Sequence, residues 1–310
     1  MASNAQNSTF TLKSTLQSDT MHLNCQRVDY VGSVDDILTL AINFLSIMSQ
    51  VWERESFEPL FRPITFRSTD NAIFDVTIKP FPSGPMIPRP DHVLQAFYTI
   101  WTRTFLGEGG SGDEPREIWN WQVSKDAGPF MQILFSLSEN LETGGGSNGT
   151  DFTSLSASTT ATGSSMPLDS KSNGRDYGAA IAYKDRPLSV EDMLLFFNNF
   201  IFKQMRHEPS DPLPPNLGED YVEFMSPGRR SYGGRLNVNV PGSQLLDPSV
   251  AYTDVVQGLR TVLYRIALSK QELCFTATMN RSAVPVLEIG QVEIMPLVRG
   301  VRPAIVTTVS

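Results

Sequence analysis

The residues best equipped for chemistry lie in "PGRRSYGGR", positions 227–235. There Arg229, Arg230 and Arg235 surround Tyr232 in a glycine-rich stretch. Guanidinium forks and open backbone N–H groups can grip a phosphate or a carboxylate. The competing reading is a solvated hairpin tip whose arginines balance the acids of "GEDY" at 218–221. Basic residues among glycines and aromatics also brush against an RNA-recognition consensus. Leu236 and Val238 stand where that consensus needs rings. His92 is the second candidate. Near a helix amino terminus its cation is disfavoured, which makes a neutral base available near pH 7. The competing reading is an exposed surface side chain, because local spacing places no nucleophile or acid beside it.

Other constellations are weaker. His22 and Cys25 in "HLNC" offer two metal ligands, but no second Cys/His pair occurs at zinc spacing. On a strand, i and i+3 also face opposite ways. No metal site is expected. The two cysteines, Cys25 and Cys274, read as small buried apolar residues unless the fold brings them together. Trp119 and Trp121 in "IWNWQV" share one face of a strand. Exposed, they would stack a sugar or a base; buried, they are core. Val123 on the same face favours the core. The sequence contains no GxSxG, HExxH, Walker A or GxGxxG, and "GEGGSG" at 107–112 lacks the lysine of a phosphate loop. No catalytic residue and no cofactor are expected.

The elements that must position these residues come from a repeat. "SVDDILTLAINF" from Ser33, "RPDHVLQAFYTI" from Arg89, "SVEDMLLFFNNF" from Ser189 and "AYTDVVQGLRTV" from Ala251 align. Each has a polar fourth residue (Asp36, His92, Asp192, Asp254) followed by an apolar pair. This is a helix start: Ser33 and Ser189 as caps, Pro90 at a first helical position, and acids at the positive end of the dipole. Apolar residues then recur at helical spacing, as in Val93, Phe97, Ile100 and Trp101, or Val255, Leu259, Val262 and Ile266.

Two strand-like runs joined by turn residues follow each helix. A lead-in strand, "MHLNCQRVDYV" or "YGAAIAYK", precedes the first and third helices. Each half thus reads β-α-β-β-α-β-β, which contains the ferredoxin-like order. In "AIFDVTIK" and "GRLNVNVP" apolar and polar residues alternate, so one sheet face is dry and the other wet. The expected fold is α+β: a two-layer sandwich of antiparallel sheet with helices on one face, built from four α-β-β repeats in two ferredoxin-like halves. The first half is expected at 20–138 and the second at 177–300. A flexible Gly/Ser/Thr-rich linker is expected at 139–176.

Composition limits the partners. The chain of 310 residues has a net charge of -8, which disfavours phosphate-rich nucleic acid and anionic membrane. No apolar run is long enough to span a bilayer. The polar amino terminus has no signal-peptide pattern, so the default compartment is cytoplasmic, or secreted if a leader has been removed. The sequence names no ligand or partner; the reading it favours is non-enzymatic binding or interaction, a protein being one candidate partner, through the open polar sheet face or the hairpin tips. The alternative is a small-molecule carrier or enzyme with a pocket between the halves.

The fourth copy, "YTDVVQGLRTVLY", followed by "ELCFTATM" and "VPVLEIGQVEI", resembles a pattern in uncharacterised proteins of filamentous fungi. In those chains a D-V-hydrophobic-x-x-L helix precedes two strands ending in a glycine-containing segment. The resemblance covers about the last sixty residues. It implies secreted relatives and brings no activity.

Overall fold

The four apolar stripes become four helices: α1 (Ile37–Trp52), α2 (Pro90–Phe105), α3 (Val190–Gln204) and α4 (Tyr252–Ser269). The stripe residues of α2 and α4 named above are all buried. The structure, a computed structural model, describes residues 9–13, 20–54, 59–68, 73–105, 115–125, 128–137, 170–172, 175–213, 219–225, 231–238, 250–282 and 287–296.

The chain divides into two compact units, Met1–Gly174 and Arg175–Ser310. Unit 1 holds β1 (Thr9–Lys13), β2 (Thr20–Val34), β3 (Ile64–Arg67), β4 (Phe74–Pro80), β5 (Arg116–Lys125) and β6 (Gly128–Leu137). Unit 2 holds β8 (Arg175–Pro187), β9 (Glu219–Met225), β10 (Ser231–Val238), β11 (Leu273–Arg281) and β12 (Leu287–Pro296), and its sheet is edged by β7 (Ser170–Ser172), just ahead of the unit boundary. The sheet orders are β1-β2-β5-β6-β4-β3 and β7-β8-β11-β12-β10-β9. Adding six to each strand number of the first order gives the second. Among the described residues, every strand pair with a defined register runs antiparallel. In each unit the βαββαβ order is present. The strand that follows it pairs back as a hairpin and enters the sheet beside the preceding strand.

Alternation places the core. Phe74, Val76 and Ile78 on β4 are fully buried, as are Phe275, Ala277 and Met279 on β11. The helices cover that face in each unit, giving the expected two-layer α+β sandwich. A further correspondence lies in the loops. The Leu60 N–H donates to the Pro88 carbonyl at 2.8 Å, and the Leu213 N–H donates to the Val250 carbonyl at 3.0 Å. Those leucines close the sequences "EPL" (58–60) and "DPL" (211–213). In both units the segment leaving the first helix is stitched to the residue two positions before the second.

Three expectations need correction. Ser33 is not a cap: it belongs to β2, and α1 starts at Ile37 with Asp36 as its cap. The strand runs on because β2 carries two register irregularities opposite β5, which take up extra residues. The expected linker 139–176 lies outside the described residues up to 169, but its end is strand, in β7 and the start of β8. β7 and β8 are neighbours in the sheet. Finally, the first half, expected to begin at residue 20, has strand β1 ahead of it, which pairs with β2 from Thr9↔Asn24 to Lys13↔Thr20.

Charge is unevenly shared. Unit 1 contains 19 acidic and 11 basic residues, net -8, and unit 2 contains 14 of each, net zero.

Candidate functional site

The "PGRRSYGGR" reading changes most. Arg229 and Arg230 lie outside the described residues. Tyr232 is not at a tip: it sits inside β10, 1% exposed, and its hydroxyl donates to the Pro187 carbonyl at 3.4 Å. Gly234 has a packing cause. A Cβ on Gly234 would lie 2.4 Å from Phe196 Cε2 and 3.0 Å from Phe200 Cε2. Bare backbone is needed where the rings of α3 press on the strand. Arg235 is half-buried on β10, opposite Glu293 of β12 and Tyr221 of β9. Glu293 accepts from Lys184 and, at 3.3 Å, from Thr276 Oγ1. This stretch of polar sheet surface is engaged in pairing across strands.

His92 is neither an exposed residue nor a base open to solvent. It is 1% exposed, packed edge-on against Phe130 at 5.5 Å. Its Nδ1 accepts the Arg89 N–H at 3.2 Å, closing the first turn of α2 from the third helical position. Burial pushes its pKa below the usual histidine range, against a smaller upward pull from Asp91. Asp254 holds the same position in α4. Its Oδ2 accepts the Ala251 N–H at 2.9 Å and Arg281 Nη1 at 2.7 Å, and its Oδ1 accepts the Tyr177 hydroxyl at 2.9 Å. The carboxylate is fully buried with all its donors, so its role is structural. Only its helix position was legible. Arg281 and Tyr177 are register partners on β11 and β8 that the sequence does not bring together.

Cys25 and Cys274 are free and buried. Burial pushes the Cys25 thiol up to about 12, so it is unreactive at neutral pH. Among the described residues no group of three His, Cys, Asp or Glu side chains could hold a metal ion, and no helix is long and apolar enough to cross a membrane.

The tryptophan pair splits. Trp121 and Val123 are core, but Trp119 is only half-buried. The cause is the irregularity in β2, where Arg27↔Trp121 is followed by Tyr30↔Trp119, three residues against two. The extra residue twists the pair and shifts the burial phase of β5 between Ile118 and Trp121. A mixed surface forms there. Tyr30 is 54% exposed and stands edge-on to Trp119 at 5.3 Å. The Arg27 guanidinium lies 5.3 Å from the Trp119 ring centre and 5.8 Å from that of Trp121. Arg103 approaches Trp121 from α2 at 5.7 Å and is anchored by donating to the Cys25 carbonyl at 2.6 Å. Glu117 accepts the Trp119 indole N–H at 3.0 Å and lies 3.6 Å from Arg27. Val28, in the irregular stretch, is 44% exposed.

This rim joins an open tyrosine, a half-open tryptophan and an arginine placed over the indole. Such a surface has the ring faces and directional donors to bind. No protein family, curated protein or solved structure matches the chain.

Proposed function

We propose that the chain is a non-enzymatic binding protein on a duplicated scaffold, and that it contacts a protein partner through the Tyr30–Trp119–Arg27 rim of unit 1. The observation that carries this reading is Tyr30, more than half exposed yet fixed by its contact with Trp119. Tyrosine, tryptophan and arginine are the side chains that concentrate binding energy at protein interfaces, because they present large area at low entropic cost. The flanking Val28 adds apolar area, and Glu117 and Arg27 form a polar border. The duplication is supported by the shared strand order, the four helix starts and the paired leucine stitches.

The test is selection of displayed random peptides on the full chain. Selected peptides should lose about tenfold or more in affinity when Tyr30→Ala or Trp119→Ala is introduced, as hot-spot truncations do. Peptides that bind both variants as well as the parent, or a selection that yields no binder, would overturn the proposal.

A further inference from the structure

The starts of α2 and α4 do the same backbone task with different chemistry. An acceptor that takes the Arg89 N–H cannot itself carry a proton, so the His92 imidazole is neutral and its single proton sits on Nε2. That nitrogen is buried and has no hydrogen-bond partner among the described residues. The charged groups acting on the ring are Asp91 in the first turn of α2, Arg89 just ahead of it, which donates to Asp91 at 3.1 Å, and Lys125 from the end of β5. From β6 the contact is Phe130, which offers no charge.

We infer that His92 is an acid-sensitive latch, which holds the start of α2 closed while neutral and releases it on protonation. The incoming proton has one place to go, Nδ1. Once there it faces the Arg89 N–H donor to donor, and the hydrogen bond that closes the turn is lost. The new cation is buried among aromatic and backbone groups, and the nearest carboxylate, Asp91, is already ion-paired with Arg89, so the helix start opens to hydrate it.

The direction with pH follows from linkage. Unfolded histidine takes up its proton at about pH 6.5 and folded His92 below that. The unfolded or opened chain therefore binds the proton first. The contribution of His92 to stability is complete above about pH 6.5 and is lost as pH falls toward the folded value. Unit 2 provides the comparison. Asp254 and Arg281 stand in place of the imidazole. His207 stacks on Tyr252 at 4.1 Å, and partial desolvation lowers its pKa too. But His207 is exposed, and as a cation it keeps its ring contact.

Hydrogen exchange of the full chain, corrected for the intrinsic pH dependence of exchange, reads the latch directly. Between about pH 7.5 and pH 5, amides of 89–96 should lose about tenfold in protection, and those of 251–258 less than about threefold. His92→Gln keeps a neutral acceptor that does not titrate, so it should remove the loss. Equal loss in both segments, no loss in 89–96, or a loss that persists in His92→Gln would each overturn the latch. If His92→Gln does not fold, ring-proton NMR of the parent chain decides the matter. A His92 that titrates at or above about 6.5 in the folded chain overturns it.

Discussion

Units 1 and 2 share a strand order but not a core. With the helices aligned on Asp36 and Asp192, Leu40 and Ala41 of α1 correspond to Phe196 and Phe197 of α3, all buried. Unit 2 places rings on the helix and gives up side chains on the strand, where Gly233 and Gly234 lie. Unit 1 keeps Phe74, Val76 and Ile78 on β4, and gathers rings around Phe44, which meets Phe97, Trp101, Phe105 and Phe135. The sandwich thus fixes total volume and layer spacing, and leaves open which layer supplies the bulk. The polar joints diverge in the same way. One helix start is closed by a neutral ring and the other by a carboxylate with three donors.

Substitutions can press on that contrast. The largest effect is expected at Asp254. Asp254→Ala strands Arg281 as a buried unpaired cation and should cost about 3–5 kcal/mol, seen as early urea unfolding of unit 2. His92→Ala leaves no such charge and should cost far less at neutral pH; equal losses would mean the two joints are energetically alike. Gly234→Ala comes next. The new methyl must displace the Phe196 and Phe200 rings, at a cost of about 1–3 kcal/mol in thermal or denaturant melts. A neutral outcome there would show that the α3 rings can retreat. Third, Asp36→Ala and Ser189→Ala each remove a cap and should cost about 1 kcal/mol. Asp36 should cost more, since it receives two N–H groups and the Thr39 hydroxyl where Ser189 receives one N–H. Smallest is Tyr30→Ala, expected to change stability by less than about 0.5 kcal/mol while weakening partner binding about tenfold or more.

Local pattern made the scaffold readable. Helical spacing and strand alternation need only near neighbours, so Val255, Leu259 and Val262, or Phe74, Val76 and Ile78, announce their buried face directly. The candidate site was poorly readable because its features depend on distant chain segments. "SYGG" has turn chemistry, yet the need for glycine comes from rings on α3. The exposure of Trp119 is set by an extra residue in β2, roughly ninety positions earlier, which no alternation count on β5 reveals. His92 stood out in the sequence as the odd residue in an acidic column. Its role as an acceptor in the first turn belonged to the column it seemed to break.

The uneven division of charge has a consequence for how the protein answers dissolved ions. A front portion with eight surplus negative charges works against its own compaction, whereas the balanced rear portion does not. Adding sodium chloride shortens the reach of that repulsion to about 8 Å at 0.15 M. The front portion should therefore firm up as ionic strength rises, and the rear should scarcely notice.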